Sequence, residues 1–168
     1  KSDSQNKKEK LCIKVISKSL IKQKFMENNI NNELNILRLL NHENIITYIT
    51  DFTSEKNLYI VNEKYNGGTL TDLIKKRILT EEEIQHIMIQ ITRALHYLKQ
   101  KRIIHRDLKC DNIMIDYEDE EDRKNNNILN GQIKIIDFGF ARFLAEGDLA
   151  NSKLGISSKS LIKIISFG

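Results

Sequence analysis

The stretch HRDLKCDNIMI, which occupies residues 105–115, decides what fold this chain can have. Its first eight residues contain a histidine, an arginine, two aspartates, a lysine and an asparagine, and an apolar run follows. Polar side chains gathered at the mouth of an apolar segment have two interpretations. They form either a loop that carries out chemistry or a charged turn whose groups bond only to one another and to water.

Composition limits the classes of protein to which this chain can belong. The chain has 168 residues, 40% of them hydrophobic, which suits one globular domain or part of a larger one. Its 27 basic and 23 acidic residues leave a net charge of +4, too small and too dispersed to indicate a nucleic-acid partner. The apolar runs are too short for a transmembrane segment. Cys12 and Cys110 lie far apart without ligand-type neighbours, so we predict a reducing compartment, the cytoplasm.

A long helix is predicted directly before the opening stretch, over residues 80–102. Thr80 and Glu83 have the spacing of a capping box, in which each side chain bonds a backbone N–H of the other residue's turn. Acidic residues crowd the first turn and basic residues the last, which complements the helix dipole. The predicted buried stripe consists of Ile84, Ile87, Met88, Ile91, Leu95 and Leu98.

The first third of the chain predicts strands around one helix. Residues 10–16 contain apolar and β-branched side chains interrupted by polar ones, which predicts a strand. In residues 28–40 the apolar side chains recur at helical spacing, which predicts a helix. Residues 45–50 and 58–61 read as two further strands joined by a turn. The glycines of residues 66–68 then mark a flexible break.

Two short strands are predicted after the long helix, at residues 113–115 and 132–136. Between them lies a polar insertion, residues 116–131, rich in acidic residues and asparagine. Its low apolar content predicts a solvated loop.

Four motifs in a fixed order now form one constellation: CIK with Lys14, ELNIL with Glu33, HRDLKCDN, and DFG at residues 137–139. Together with the segment LYIVNEKYNGGTL, these motifs make the chain resemble the eukaryotic protein kinase family. A non-kinase interpretation would treat HRDLKCDN as a salt-bridged turn and the other motifs as accidents. The resemblance implies an α+β fold, a partial bilobal kinase-like fold with an incomplete N-lobe sheet and the first half of the helical C-lobe.

The resemblance also implies boundaries within the chain. Residues 1–10 are expected to be a polar remnant, residues 11–155 a partial kinase domain, and residues 156–168 a tail that does not match. Within the domain, the expected parts are the N-lobe (11–61), the hinge (62–68) and the C-lobe (69–155). No glycine-rich loop is seen before the strand lysine, and the approach to the family's APE segment breaks off near residue 155.

The resemblance implies an ATP- and Mg²⁺-dependent transfer of phosphate to serine or threonine of protein substrates. By this resemblance, Lys14 pairs with the α- and β-phosphates and Glu33 holds Lys14 in place. Asp107 orients the acceptor hydroxyl and takes its proton. Asp137 and Asn112 supply oxygen ligands to Mg²⁺, which prefers such ligands.

Further roles follow from the same resemblance. Lys109 is expected near the γ-phosphate, which favours Ser/Thr over Tyr acceptors. His105 is expected to pack against Phe138 as a structural residue. Arg106 is expected to bind a phosphate on the activation segment, with Ser152 as the phosphorylated residue.

The adenine is expected between the lobes, with Cys12 above it and Met114 below it. The backbone of the hinge residues Glu63 to Tyr65 would bond the adenine edge. Asn62 falls at the gatekeeper position, where an apolar residue is commoner. It reflects either sequence drift or a polar back pocket.

The branch of the family is suggested by the polar insertion and by DFGFAR at residues 137–142, which resemble the autophagy-initiating serine/threonine kinases. Two alternatives to an active kinase stay open. One is a pseudokinase that serves as a binding scaffold, and the other is an inactive fragment.

Overall fold

The computed structural model describes residues 10–21 and 24–145. The N-terminal part of the described residues forms a three-stranded antiparallel sheet in the order β1-β3-β2 with two helices beside it. The strands are β1 (Leu11–Ser17), β2 (Tyr48–Thr53) and β3 (Asn57–Glu63), and the helices are α1 (Lys18–Ile21) and α2 (Lys24–Leu39).

One face of this sheet is apolar and covered, and Lys14 points from it. Lys14 lies opposite Ile60 in the β1–β3 register, and Ile60 is fully buried. Side chains alternate between the two faces of a strand, so Ile13, between Cys12 and Lys14, faces the other way and is exposed. Leu34 and Leu37 of α2 belong to the same buried cluster as Ile60. The apolar side chains of α2 therefore pack this helix on the face of the sheet that carries Lys14.

The second half of the chain packs helices on small β pairs. Strand β5 pairs antiparallel with β6, and β4 pairs with β7. The helices are α3 (Leu70–Lys76), α4 (Glu81–Gln100) and α5 (Glu120–Asn125), and the strands are β4 (Ile103–Ile104), β5 (Ile113–Tyr117), β6 (Gly131–Ile135) and β7 (Arg142–Phe143).

Helix α4 is the central element of this half, and its predicted N-terminus is confirmed. The Thr80 hydroxyl accepts the Glu83 N–H, and the Glu83 carboxylate accepts the Thr80 N–H at 2.8 Å. Ile87, Ile91 and Leu98 of the predicted stripe are buried. The other three predicted members are only partly buried. In their place the buried face includes Gln90 and Ala94.

The expected α+β class is confirmed, but two local predictions are wrong. The strand predicted at residues 45–50 begins at Tyr48 instead, because Ile45 forms a parallel bridge to Ile135 and so joins the two halves. The insertion predicted as a solvated loop contains α5 and a 3₁₀ turn, Ile128–Asn130. No helix within the described residues is long and apolar enough to cross a membrane.

The insertion folds because its short helix is capped at both ends and two of its side chains, Tyr117 and Ile128, are buried. Asp119 Oδ1 accepts the backbone N–H of Glu121 and of Asp122, which begins α5. Asn126 ends the helix in the left-handed conformation, with φ of 51°. Ile128 is fully buried in a cluster with β5, β6 and α4. Tyr117 and Ile128 therefore anchor a segment whose low apolar content predicts a loop.

Candidate active site

A lysine–glutamate pair joins the sheet to α2. Lys14 Nζ lies 2.7 Å from Glu33 Oε1. Glu33 is 5% exposed, whereas nearly half of the Lys14 side chain meets solvent. A buried carboxylate requires a partner, so Glu33 holds the lysine on the inner face of the sheet while the open side of the ammonium stays accessible.

The polar loop of residues 105–112 is organised around Asp107. Lys109 Nζ lies 2.8 Å from Asp107 Oδ2. Asn112 Nδ2 donates to the same oxygen and to the Asp107 carbonyl, at 2.9 Å each. Asn112 begins the chain's return into β5 and is itself buried. The carboxylate is thus held from two sides by residues that follow it closely in sequence.

These contacts set the charge of Asp107. The hydrogen bond from Lys109 lowers the pKa of Asp107, partial burial opposes this, and the hydrogen bond from Asn112 lowers the pKa further. The net direction is downward, because hydrogen bonds to the charged form favour it. Asp107 is therefore ionised at neutral pH and can accept a hydrogen bond from a hydroxyl.

His105 is structural, as predicted. Its ring packs edge-on against buried Phe138, with centroids 4.8 Å apart. Its Nδ1 accepts the Asp107 N–H and its Nε2 donates to the Ile136 carbonyl, which together require the neutral Nε2–H tautomer. Burial lowers the pKa of His105, which keeps the ring neutral. The histidine therefore fixes the loop and takes no proton from a substrate.

One glycine marks where the motifs meet. The Gly139 N–H donates to Asp137 Oδ1 at 3.3 Å. A Cβ atom on Gly139 would lie 3.3 Å from Asp137 Oδ1, 3.6 Å from Glu33 Oε2 and 3.9 Å from Lys14 Nζ. The Lys14–Glu33 pair and the Asp137 carboxylate therefore border the same small space.

Backbone bonds join this space to the loop around Asp107. The Ile136 N–H, next to Asp137, donates to the Asn112 carbonyl at 2.9 Å. Asp137 and Arg106 both have positive φ, 60° and 71°. Aspartate and arginine seldom adopt this left-handed conformation, so the surrounding contacts must hold both residues in it. The structure thus brings Lys14, Glu33, Asp107, Asn112 and Asp137 to one cleft.

Sequence reasoning missed Asn32, which precedes Glu33 on α2. Asn32 Nδ2 donates to the Ala141 carbonyl at 2.6 Å and so connects α2 to the segment after Asp137. No motif marks an asparagine at this place, because its partner is a backbone carbonyl 109 residues away. Gly139 was part of a recognised motif, but its contacts become visible only in three dimensions.

The residues expected around adenine lie on β1, β3 and β5 and on the segment that follows β3. Cys12 is exposed and lies opposite Asn62 in the sheet. Met114 bridges to Thr69 at the start of α3. The Glu63 N–H is used by the Thr47 carbonyl. The Tyr65 N–H, by contrast, has no hydrogen-bond partner among the described residues, which leaves it able to bond a ligand.

The two alternatives for Asn62 can now be described physically. Asn62 is 8% exposed, and no group in the described ranges donates to its buried Oδ1. A buried amide oxygen without a donor costs free energy. Asn62 therefore places an unpaired polar atom at this buried position.

Of the two predicted regulatory residues, Arg106 lies within the described residues and Ser152 does not. Arg106 is exposed, and its guanidinium has no carboxylate partner among residues 10–21 and 24–145. Ser152, predicted as the phosphorylated residue, lies outside the described residues. An exposed, unpaired arginine beside Asp107 is chemically suited to bind a phosphate.

A magnesium ion would find suitable ligands in this cleft. Asn112 donates from Nδ2 to Asp107, which leaves its Oδ1 without a donor among the described residues. Asp137 uses Oδ1 for the Gly139 N–H and offers its second oxygen. No group of three or more His, Cys, Asp or Glu side chains within the described residues could hold a metal alone. One carboxylate and one amide suit Mg²⁺, which keeps waters and substrate phosphates as its other ligands.

Comparison with known proteins points in the same direction. The protein kinase domain family matches residues 1–158. The chain is 38% identical over 115 residues to "Serine/threonine-protein kinase shk2" of Schizosaccharomyces pombe, which covers 68% of the chain and 18% of that protein. It is 36% identical over 149 residues to "Serine/threonine-protein kinase unc-51" of Caenorhabditis elegans, covering 86% of the chain and 17% of that protein.

A third relative is "Serine/threonine-protein kinase Nek8" of Danio rerio, 40% identical over 127 residues, or 74% of the chain and 17% of that protein. The chain thus spans less than a fifth of the length of these three relatives.

Proposed function

The chain belongs to the eukaryotic serine/threonine protein kinase family, and on this premise we propose that it transfers the γ-phosphate of ATP to serine or threonine hydroxyls of proteins. One observation carries the proposal. Gly139 adjoins both the Lys14–Glu33 pair and the Asp137 carboxylate, and a backbone bond joins this space to the loop around Asp107. Phosphoryl transfer needs positioning and charge neutralisation more than covalent participation by the protein.

The Lys14 ammonium holds the nucleotide. It is fixed on one side by Glu33 and open on the other, so it can bond phosphate oxygens without moving its carbon chain. Because Glu33 is buried on α2, the position of that helix determines where the ammonium lies. The bond from Asn32 to the Ala141 carbonyl then fixes α2 relative to Asp137.

Asp107 orients the acceptor. Its ionised carboxylate accepts the hydrogen bond of a Ser or Thr hydroxyl and takes the proton as the new O–P bond forms. Lys109 lowers the pKa of Asp107 further in the free protein. Since the Lys109 side chain is 42% exposed, it can turn from Asp107 to the transferred phosphate and balance its charge.

Magnesium, when bound, would neutralise the phosphates and bridge them to the protein. Asp137 and Asn112 would hold it through their unused oxygens. The left-handed backbone at Asp137 aims this carboxylate, and the bond from Ile136 to the Asn112 carbonyl fixes the two ligands relative to each other.

The test is phosphate transfer from [γ-³²P]ATP to a mixed Ser/Thr acceptor peptide, with the full chain and with Asp107→Asn. We expect transfer by the full chain and a loss of roughly 10²–10⁴-fold in the variant, the usual contribution of a positioned base. Transfer that is equal in both proteins would contradict the role of Asp107. Binding of Mg²⁺-ATP in a thermal-shift assay without any transfer would instead indicate a scaffold.

A finer proposal is membership of the autophagy-initiating branch. It is supported by DFGFAR at residues 137–142 and by the insertion at residues 116–131. Deletion of the gene should reduce the number of autophagosomes formed on starvation, counted by electron microscopy. An unchanged number would remove the branch assignment and leave the family membership intact.

We also propose a cytoplasmic location. Cys12 and Cys110 form no disulfide, which suits a reducing compartment. A fluorescent fusion of the full-length protein should be diffuse in the cytoplasm under the microscope. Enrichment in the secretory pathway would contradict this proposal.

A further inference from the structure

A groove of about 800 Å³ lies on the side of the molecule formed by α4, the hinge and the insertion. Its walls come from the loop before β2, from α4, and from the segment between β5 and β6. The volume falls in the range of roughly 300–1,000 Å³ that holds a drug-sized ligand. It can therefore admit several side chains of a partner.

The groove is strongly acidic although the whole chain has a net charge of +4. Two cations line it, Arg93 and Lys134, against six carboxylates. The carboxylates are Glu43, Glu63, Asp116, Glu118, Asp119 and Asp122. The insertion contributes most of them, so the folding of this segment creates the charge of the groove.

Some of these carboxylates already accept hydrogen bonds within the protein. Asp119 caps α5, and Asp122 accepts hydrogen bonds from Asn127 and Asn130. Glu63 and Glu118, in contrast, accept no hydrogen bond from any side chain in the described ranges. Glu43 is 3.9 Å from Arg93, and both side chains are largely exposed. The groove thus keeps carboxylates that can bind a cationic partner.

A buried lysine is the second, independent feature. Lys134 is 7% exposed, lines the groove, and donates to no oxygen of the described residues. Its ammonium lies 5.3 Å from the centre of the Tyr65 ring. Burial lowers the pKa of Lys134, and Glu63 and Asp116 oppose this. The Lys134 ammonium therefore has a largely buried side chain and no oxygen partner within the described residues, and a carbonyl oxygen of a ligand in the groove would supply that partner.

We propose that this groove docks an arginine- or lysine-rich peptide segment of a partner protein, with Lys134 donating to a backbone carbonyl of that segment. The carboxylates bind the basic side chains of the peptide, and Lys134 donates a hydrogen bond to its main chain. Nucleic acid is disfavoured because its phosphates would meet the six carboxylates. The proposal concerns binding alone and does not depend on phosphate transfer.

The groove is rigid enough to recognise such a segment. Gln90 Oε1 accepts from Asn44 Nδ2 at 2.8 Å and from the Ile133 N–H at 2.9 Å, which joins α4 to two walls of the groove. Gln90 is itself buried. A partner therefore meets preformed walls, which reduces the ordering cost of binding.

The experiment measures fluorescence anisotropy of a labelled octapeptide of alternating arginine and alanine, with the full chain and no ATP. The octapeptide with glutamate in place of arginine is the ligand control and should not bind. The double variant Glu43→Gln/Glu118→Gln should weaken binding by about tenfold. The matched variant Glu55→Gln/Glu82→Gln neutralises two exposed carboxylates outside the groove and should change the affinity by less than about twofold.

Lys134→Met separates recognition from simple charge attraction. Removing a positive charge from an acidic groove would strengthen binding of a cationic peptide if charge alone mattered. We expect instead a weakening of about fivefold, because the backbone carbonyl loses its donor. Tighter binding to Lys134→Met, or equal binding to the Glu43→Gln/Glu118→Gln variant and the wild type, would overturn the proposal.

A ligand comparison covers the case in which Lys134→Met does not fold. Spermine carries positive charges but no carbonyl group, so it cannot accept from Lys134. In competition against the labelled octapeptide on the wild-type protein, spermine should bind at least about tenfold more weakly than unlabelled octapeptide. Equal affinities would show a general cation site and overturn the proposal.

Discussion

The loop of residues 105–112 and the insertion of residues 116–131 are both dense in polar side chains, yet the hydrogen bonds that leave the two segments reach different parts of the protein. In the loop, His105 bonds Ile136 and Asn112 accepts from the same residue. In the insertion, most side-chain bonds stay inside the segment, as Asp122 does with Asn127 and Asn130. The loop is therefore joined to the segment that carries Asp137, whereas the bonds that leave the insertion reach Asn66, Arg77 and Gln90, which lie far from that segment in sequence.

Backbone strain separates the two regions as well. Arg106, in the loop, has a φ of 71°, a backbone conformation that glycine adopts easily and arginine does not. Asn126, in the insertion, also has positive φ, but it is a helix C-cap, where asparagine is common. Positive φ at Arg106 needs the surrounding contacts to hold it, whereas at Asn126 the local helix end is sufficient. Loss of a contact should thus affect function in one region and stability in the other.

The largest effect is expected from a matched pair of asparagine variants, Asn112→Ala and Asn130→Ala. Asn112→Ala removes both hydrogen bonds from Asn112 Nδ2 to Asp107 and a proposed Mg²⁺ ligand, so phosphate transfer should fall by about 10²–10³-fold. Asn130 is exposed, and within the described residues its side chain donates to Asp122 alone. Its removal should change the free energy of unfolding by no more than about 0.5 kcal/mol.

Transfer assays and urea unfolding of both variants test this pair. If Asn130→Ala reduced transfer as strongly as Asn112→Ala, the distinction between the two regions would be wrong.

Ile128→Ala should have the next largest effect, on stability. Ile128 is fully buried against β5, β6 and α4, and truncation of such a side chain costs about 2–5 kcal/mol. Leu129→Ala next to it is the control, because Leu129 is 37% exposed. Thermal and urea unfolding give the comparison, and similar losses for both variants would mean that Ile128 does not anchor the insertion.

A pair of glycine variants gives a smaller effect. An alanine Cβ at Gly139 would crowd Asp137 Oδ1 at 3.3 Å. We expect transfer to fall by roughly tenfold, since small displacements of reacting groups are costly. Gly131→Ala meets Ile115 at 3.0 Å and Ile128 at 3.1 Å, and should destabilise the fold by about 1–3 kcal/mol through overpacking.

Steady-state kinetics and unfolding curves separate the two glycine variants. A drop in stability for Gly139→Ala without a change in transfer would remove the claim that this glycine borders the reacting groups.

The sequence marks the residues of the proposed site more directly than it marks the bounds of the elements around them. HRDLKCDN and DFG mark these residues because the kinase family assigns a chemical task to each side chain, and the Thr80–Glu83 capping box is a local pattern. Other features depend on distant partners. Ile45 forms a bridge to Ile135 instead of belonging to β2, and Ile128 packs between β5, β6 and α4. Asn32 and Lys134 carry no motif, because their surroundings are made by the tertiary structure.

The smallest effect concerns the charge of Asp107 in the variant Lys109→Met. Lys109 is the largest cause of the lowered pKa of Asp107, so its removal should raise that pKa toward the ordinary value of about 3.9. A carboxyl with a lowered folded-state pKa stabilises the fold above its ordinary pKa, and this stabilisation is lost as the pH falls through the folded-state pKa. The variant should therefore be less stable than the wild type at pH 7, with the difference disappearing in acid.

Carboxyl ¹³C NMR titration of Asp107 and urea unfolding at pH 7 and at low pH measure both consequences of Lys109→Met. Lys124→Met, an exposed lysine in the last turn of α5, is the control from the insertion and should leave the titration of Asp107 unchanged. An Asp107 pKa that stays low in Lys109→Met would assign the shift to the Asn112 hydrogen bond instead. The loop would then hold its charge by the amide that also faces the proposed metal position, and Lys109 would be left to act on the phosphate alone.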